Sequence, residues 1–407
     1  MSTAFLNADI KEDIIVRPAE GLELLTGVRS GMLWKLKKTV YGLKQSNKEW
    51  VDLVQKFMSR HGFQCNKYDE NFYMKTVQGR YMYCLVYVDD ILIASSKKID
   101  CDRLLKAMNE DWEVKDLGPI SRYLGMRFTQ DSLHVYIDQA PYLSALLESL
   151  NMGECNPLST PMVEVPLPKD EDDSPLLNIK NQSVYRSLVG RLLWACLCTR
   201  PDLQFAVSKL SSKVAYPTES DMKLLKKCLR YIKGTLDYRF VFRKKTGVNV
   251  KLVGFSDASH GNEEKRTSQD GYIFLWNGTP ISWSSRRQKS VSISTHQAEV
   301  YGISETIREA IWLRRLLKDF VSQVGTLPVY ADNQAAISSA QNSGTHSASK
   351  HIDLRMKFNE EKVAKRVVRL LYVASESNVA DVFTKPLGKI KFTKFRDIML
   401  AKVPSGN

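Results

Sequence analysis

The sequence predicts a multidomain protein that combines the α/β and α+β fold classes. Three observations predict it: short apolar runs of strand length, apolar residues at helical spacing, and a proline-rich acidic segment in mid-chain. The chain has 407 residues, of which 43% are hydrophobic, and this suits a folded protein with more than one domain. We therefore expect sheets covered by helices on both sides of the mid-chain segment.

The N-terminal part contains a predicted hairpin with two adjacent acids. Residues 85–88 predict a buried strand, residues 91–94 predict its return partner, and Asp89 and Asp90 lie between them. Hard cations prefer oxygen ligands, so an acid pair at such a turn indicates a metal site. A hairpin whose turn simply consists of two acids is the better explanation when the segment is taken alone, because aspartate is a common turn former.

Helical spacing predicts helices over residues 48–60, 142–150, 185–198 and 221–232. Prolines and an acidic run predict an extended linker over residues 156–181. We expect one domain at 1–155, a helical connection at 182–247, a third domain at 248–388 and a basic peripheral tail at 389–407.

The third domain has the predicted order strand, strand, strand, helix, strand, helix, helix, strand, helix, which is typical of a mixed sheet with helices. The strands are expected at 251–255, 271–276, 280–284, 327–331 and 367–373, and the longest helix at 297–320.

Four acids of this domain fall at predicted strand ends and helix starts. Asp257 ends the first strand, Glu299 lies in the first turn of the long helix, Asp332 follows the strand at 327–331, and Asp381 begins the last helical segment. Acids at such places can converge to bind two divalent ions that cleave a phosphodiester. A cap or turn role explains any one of them, but explains all four poorly.

The formal net charge of +14 predicts a polyanionic partner, most often nucleic acid, although a solvated basic surface is the alternative. The same two interpretations apply to a basic stretch with interleaved aromatic residues. Its cations are Lys223, Lys226, Lys227, Arg230, Lys233, Arg239, Arg243, Lys244 and Lys245. The sequence shows no signal peptide pattern and no apolar run long enough to span a bilayer, so we expect no membrane partner.

A series of motifs follows in order along nearly the whole chain. The first group is STAFLN at 2–7, WKLKK at 34–38, YGLKQ at 41–45, YVDD at 87–90, DLG at 116–118, YLG at 123–125, STPM at 159–162, YRSLVG at 185–190 and TRPD at 199–202. The second group is SDA at 256–258, QAE at 297–299, ADN at 331–333, KHID at 350–353, AD at 380–381 and TKPL at 384–387. Together they resemble the C-terminal part of the Pol polyprotein of copia-type LTR retrotransposons.

This resemblance implies a reverse transcriptase palm and thumb remnant followed by a ribonuclease H-like mixed sheet. It implies that Asp89 and Asp90 are polymerase metal ligands, and that Phe5 is the gate against a ribose 2′-OH. Lys44 and Gln45 are expected in the nucleotide pocket. The ribonuclease H acids, which would hold two Mg²⁺ ions, are expected to be Asp257, Glu299, Asp332 and Asp381.

His351 matches a histidine that the family has near the ribonuclease H site, and an ordinary loop histidine is the alternative. The family also has a third polymerase aspartate two positions before Ser2, preceded by the fingers, whereas this chain begins at Met1, which occupies the intervening apolar position. We therefore expect Mg²⁺-dependent cleavage of RNA in RNA–DNA hybrids to be retained and RNA-directed DNA polymerase activity to be lost. The expected partners are RNA–DNA hybrid and primer–template, in the cytoplasm, the nucleus or both.

Two alternatives stay open at this stage. The chain could be a non-catalytic nucleic-acid-binding relic or pseudogene product, or a mis-started gene model of a full polymerase. The first predicts a folded or unfolded protein without activity, and the second predicts a fingers-like reading frame upstream of Met1.

Overall fold

The structure, a computed structural model, describes residues 3–22, 31–162, 174–244, 251–261, 267–318, 324–341 and 350–403. It divides into two compact units, Met1–Leu124 with Arg315–Ser322 and Gly125–Arg314 with Gln323–Asn407. Each unit combines sheets with helices, so the predicted mixture of fold classes is confirmed. Nowhere in the described ranges is a helix both long and apolar enough to cross a bilayer.

The first unit is built on an antiparallel sheet with strand order β3-β4-β5-β6. The strands of the first unit, inside and outside this sheet, are β1 (Ile15–Val16), β2 (Trp34–Lys35), β3 (Gln64–Cys65), β4 (Phe72–Val77), β5 (Arg80–Tyr87), β6 (Asp90–Ser95) and β7 (Arg122–Tyr123). Its helices are α1 (Ser46–Arg60) and α2 (Lys98–Asp111). The two helices bury an aromatic core in which the Trp112 ring lies 5.4 Å from the Trp50 ring and 4.6 Å from the Phe57 ring, each pair in a tilted arrangement.

The predicted hairpin is confirmed, with Tyr87 paired to Asp90 across a turn at Val88 and Asp89. Val88 has a φ of 53°, which is an unusual conformation for a β-branched residue. The prediction of a buried strand needs correction, because only alternate residues of β5, such as Cys84 and Val86, are buried. An antiparallel sheet that packs helices on one face alternates in this way.

The second unit begins with an antiparallel sheet and four helices. The sheet order is β16-β10-β9-β8, with β8 (Met126–Gln130), β9 (His134–Asp138), β10 (Tyr238–Arg243) and β16 (Ala401–Lys402). The helices are α3 (Ala140–Ser149), α4 (Ile179–Cys198), α5 (Gln204–Ser212) and α6 (Glu219–Lys233). A capping box between Thr218 and Asp221 fixes the start of α6.

The second unit also contains a mixed sheet with strand order β13-β12-β11-β14-β15. Its elements are β11 (Leu252–Ser259), β12 (Gln269–Trp276), β13 (Thr279–Arg287), α7 (Thr295–Leu317), β14 (Leu327–Ala331), α8 (Gln334–Gln341), α9 (Lys350–Ala364), β15 (Val368–Tyr372) and α10 (Lys389–Met399). Strand β11 is antiparallel to β12 and parallel to β14, which is parallel to β15. The predicted order of strands and helices is confirmed.

The last helix corrects the prediction of a peripheral basic tail. Helix α10 buries Phe392, Phe395 and Met399, whose spacing of three and four residues places them on one helical face. The same core cluster contains Leu229 of α6 and Ile273 of β12. The helices of the predicted connection and the strands of the mixed sheet therefore share one hydrophobic core.

The described ends of the predicted linker also pack within the second unit. The Arg230 side chain donates to the Asn156 carbonyl at 2.7 Å, and the Leu158 amide donates to the Arg230 carbonyl at 3.2 Å. Met162 and Leu177 are buried in the core. Residues 163–173, which hold the acidic run, lie outside the described residues.

Candidate metal centre

Three of the four predicted acids of the second unit converge. Asp257, Asp332 and Asp381 each offer a carboxylate oxygen, and these three atoms all lie within 4.8 Å of one another. Asp257 and Asp381 are 2% and 0% exposed, and Asp332 is half-buried. Among the described residues this is the one group of three or more acids, histidines or cysteines close enough to share a metal ion.

Two neighbouring parallel strands position Asp257 and Asp332. The β11–β14 ladder pairs Gly254 with Val329 and Phe255 with Tyr330, and both acids lie just beyond it. The prediction that Asp257 ends its strand needs correction, because β11 continues to pair with β12 as far as Ser259. The acid therefore lies inside β11 and yet beyond the parallel ladder.

A short 3₁₀ turn, Val379–Phe383, carries Asp381. The buried Asn378 caps this turn by accepting from the Ala380 amide at 3.2 Å, and donates to the Ser256 carbonyl at 3.0 Å. A side chain at Gly271 would place its Cβ atom 2.6 Å from the Cβ atom of Phe383. Glycine at this position of β12 therefore lets the turn lie directly on the sheet and brings Asp381 beside Asp257.

Helix α7 carries Glu299 to the acid cluster. Glu299 lies in the second turn of this helix and not in the first turn, as predicted, because the helix begins two residues earlier. The helix begins at Thr295 because Ser294 accepts from the Gln297 amide at 3.2 Å and the Gln297 side chain accepts from the Ile293 amide at 2.7 Å. Gly302 permits close approach to β11, since a Cβ atom there would lie 3.2 Å from the Asp257 carbonyl. Glu299 is buried, and its Oε2 has no hydrogen-bond partner among the described residues.

Burial and mutual repulsion shift the pKa values of these acids upward. Burial raises the pKa of Asp257 to about 7, Lys385 opposes the shift, and Asp381 and Asp332 add to it. Burial also raises the pKa of Glu299 well above its ordinary value, and Asp257 and Asp332 contribute. Glu299 is thus electrostatically linked to the cluster although it lies outside the closest group.

Three side chains that sequence reasoning did not assign to the site contact the acids directly. The Thr384 hydroxyl donates to Asp257 Oδ2. Lys385 Nζ lies 2.8 Å from Asp381 Oδ1 and 3.7 Å from Asp257 Oδ2, and Lys391 Nζ contacts Asp381 Oδ2. The TKPL motif at 384–387 includes Thr384 and Lys385 and could have drawn attention to them. A motif alone, however, does not reveal that these two residues contact Asp257, which lies far earlier in the chain.

The residues present fit divalent cations. Four carboxylates are the hard oxygen donors that Mg²⁺ and Mn²⁺ prefer, and two lysines already supply positive charge there. The unpartnered Glu299 Oε2 is a buried acceptor for which the described residues provide no donor. A bound cation would provide a partner for the buried Glu299 oxygen and would reduce the repulsion among the acids.

The predicted polymerase residues form a separate arrangement in the first unit. Asp89 accepts from the Ala4 amide at 2.7 Å, and the Tyr41 hydroxyl donates to it at 2.7 Å. The Tyr41 ring lies 4.6 Å from the Phe5 ring, so Tyr41 links the predicted gate to the predicted metal ligand. Asp90 is exposed at the start of β6.

The other predicted residues are placed less tightly or fall outside the description. Lys44 is exposed and Gln45 is half-buried just before α1. His351 belongs to α9, and its side chain lies outside the described residues. Lys245 of the predicted basic stretch also lies outside the described residues. The inclusion of Arg239 in that stretch needs correction, because Arg239 is only 7% exposed and its Nε lies 3.7 Å from Asp138 Oδ2, so its side chain does not face solvent.

Comparison with known proteins gives a consistent result. The family described as "Reverse transcriptase (RNA-dependent DNA polymerase)" matches residues 1–164. The chain is 33% identical over 98% of its length to the retrovirus-related Pol polyprotein from transposon TNT 1-94 of Nicotiana tabacum, and 32% identical over 99% to that from transposon RE2 of Arabidopsis thaliana. It spans 30% and 27% of the lengths of these two relatives.

The solved structures that match this chain have low sequence identity to it. A foamy viral protease-reverse transcriptase in complex with double-stranded DNA matches 85% of this chain and 52% of its own, with 11% identity and a TM-score of 0.48. The LC11-RNase H1 isolated from compost matches 33% of this chain and 92% of its own, with 17% identity and a TM-score of 0.27.

Proposed function

Because the chain belongs to the copia-type retrotransposon Pol polyproteins, we propose that its second unit cleaves the RNA strand of an RNA–DNA hybrid. The observation that carries the proposal is the convergence of Asp257, Asp332 and Asp381 within 4.8 Å, with Glu299 buried beside them. Acids that repel one another in a buried site lower the stability of the fold, so their retention indicates chemistry.

The four acids are proposed to hold two Mg²⁺ ions. When bound, such ions supply an activated water and neutralise the charge that develops on the phosphate during in-line cleavage. The chain's own groups fix the ligands: Asn378 ties the Asp381 turn to β11, and Thr384 orients the Asp257 carboxylate. Gly302 sets the depth at which Glu299 enters the site.

A nucleic-acid duplex suits the large positive charge of the chain, and the hybrid is proposed because the chain belongs to the Pol polyprotein family. The formal net charge is +14, and Lys223 and Lys226 are exposed on α6. Contacts to phosphates supply most of the affinity of such proteins for nucleic acid, and they weaken as salt concentration rises. We therefore expect hybrid binding to fall steeply between low and physiological salt.

The test is cleavage of a 5′-labelled RNA strand in a hybrid, with Mg²⁺ and with EDTA. We expect cleavage with Mg²⁺, and a loss of about 100-fold or more in Asp257→Asn, on the scale of other removed electrostatic groups. The matched control is Asp89→Asn, which alters an acid of the first unit and should cleave normally. Cleavage by Asp257→Asn at the wild-type rate would contradict the assigned site, and an inactive but folded wild type would favour the non-catalytic relic.

We propose that the same chain does not extend a primer. Asp89 and Asp90 belong to no group of three metal-binding side chains among the described residues, and two-ion polymerisation needs a ligand set that fixes both ions. Primer extension on an RNA template with deoxynucleotides and Mg²⁺ tests this. Extension that Asp90→Asn abolishes would overturn it and would point to a functional polymerase site.

A further inference from the structure

Lys385 lies in the middle of the acid cluster and not at its edge. Its ammonium group makes a 2.8 Å ion pair with Asp381 Oδ1 and lies 3.7 Å from Asp257 Oδ2. It therefore bridges two different predicted metal ligands. Its positive charge neutralises part of the negative charge of the acid cluster, in addition to the contact that Lys391 makes with Asp381.

Lys385 and a divalent ion need the same oxygen atoms. Carboxylate oxygens bind Mg²⁺ at about 2.0–2.1 Å in near-octahedral geometry, which leaves no room for an ammonium group at the same lone pairs. Two cations at such separation also repel each other strongly in a buried site. Lys385 is 36% exposed, so its flexible side chain has a route out of the cluster towards solvent.

Lys391 makes a different contact. It reaches Asp381 Oδ2 alone, from helix α10, and leaves Asp257 untouched. Lys394 lies one turn further along the same helix and donates to the Glu376 carbonyl at 2.6 Å, away from the acids. The chain therefore offers one bridging lysine and, nearby, a lysine of the same type that does not contact the cluster.

We propose that Lys385 is an internal counter-ion that competes with a divalent cation for Asp257 and Asp381. In the metal-free protein it holds the two acids together, and metal binding displaces it. The proposal rests on the proposed function, because it requires that these acids bind metal. Competition from Lys385 would lower the affinity of the site for a divalent cation, and its ion pairs would stabilise the fold when no cation is bound.

The test compares wild type, Lys385→Met and the control Lys394→Met by calorimetric titration with Mn²⁺ and by thermal unfolding in EDTA. We expect Lys385→Met to bind Mn²⁺ about tenfold more tightly and to unfold at a lower temperature than wild type in EDTA. Saturating Mn²⁺ should remove that difference, and Lys394→Met should match wild type in both measurements. Unchanged or weaker Mn²⁺ binding by Lys385→Met, or unchanged stability in EDTA, would overturn the proposal.

Two further outcomes are decisive. If wild type binds no Mn²⁺, both the counter-ion and the proposed nuclease fail; if wild type and Lys385→Met bind it equally, only the counter-ion fails. If Lys385→Met folds only with Mn²⁺, the proposal is supported. If it does not fold at all, Lys385→Gln decides, because it removes the charge but keeps a polar side chain: tighter Mn²⁺ binding supports the proposal and unchanged binding overturns it.

Discussion

The two acid sites of this chain differ in how they are built. Asp89 and Asp90 are neighbours in sequence at a hairpin turn, half-buried and exposed, and a tyrosine hydroxyl holds the first. The acids of the second unit come from separate elements, and Asp257 and Asp381 are buried. A pair adjacent in sequence identifies the family easily, whereas convergence and burial create the electrostatic conditions for binding metal.

The sharpest way to break the second site without touching an acid is Gly271→Ala. The new Cβ atom would lie 2.6 Å from Phe383 Cβ and 2.7 Å from Thr384 Cγ2, so the turn with Asp381 must move. We expect loss of hybrid cleavage and about 3 kcal/mol of destabilisation, measured by denaturant unfolding. Gly190→Ala is the control: it lies on an exposed helical face with open space, and should stabilise by up to about 1 kcal/mol. Equal stability of the two variants would contradict the close packing.

The pH dependence of stability tests the electrostatic difference. The pKa of Asp257 rises from 3.8 when unfolded to about 7 when folded, so the folded protein holds a proton that the unfolded chain has lost. In EDTA, stability should therefore fall as pH rises from about 4 to about 7, by on the order of 2–4 kcal/mol.

Denaturant unfolding of wild type and Asp257→Asn across this range measures the effect. The variant does not titrate at this position, so its curve should be flatter, and Mg²⁺ should flatten that of wild type because a bound cation replaces the proton. Parallel curves for the two proteins in EDTA would show that burial does not control this acid.

Thr384→Val tests the orientation of the Asp257 carboxylate. The valine has the same shape but no hydroxyl, so Asp257 Oδ2 loses its donor. We expect Thr384→Val to cleave about tenfold more slowly and to lose about 1–2 kcal/mol of unfolding free energy, while Thr384→Ser should match wild type closely in both measurements. If valine and serine variants cleave equally, the hydroxyl does not position the acid.

The smallest effect is expected in the first unit, from Tyr41→Phe. It removes the hydroxyl that donates to Asp89 at an exposed position and leaves the ring contact with Phe5. Unfolding free energy should change by less than about 1 kcal/mol, and hybrid cleavage should be unchanged. A marked loss of cleavage would mean that the two sites are coupled.

The sequence predicted the parts of the fold that depend on local pattern. The strand Leu327–Ala331 and the hairpin at Asp89 follow from short-range hydrophobic order and were confirmed. The start of α7 was placed two residues late because the hydrogen bonds of Ser294 and Gln297 to backbone amides at the helix start were not recognised. The burial of α10 was missed because its basic residues were more conspicuous than the spacing of its three buried apolar residues.

The sequence predicted which acids belong to the candidate metal centre, but not how the fold brings them together. Their convergence depends on which strands pair and on close packing at Gly271, and neither follows from local pattern. The lysines at Asp381 were missed for a related reason. A lysine in a basic chain carries no signal that distinguishes an internal ion pair from a solvated surface charge.

The contacts that complete the candidate metal centre span long stretches of chain. Thr384 and Asp257 are 127 residues apart in sequence, and Asn378 and Ser256 are 122 residues apart. Closing such loops costs conformational entropy before the contacts can form, so we expect these contacts to form late in folding. After dilution from denaturant, the far-ultraviolet signal of the helices should therefore recover before the ability to bind Mn²⁺. This order predicts a stage of refolding in which the secondary structure is in place and the acids of the candidate metal centre are still apart.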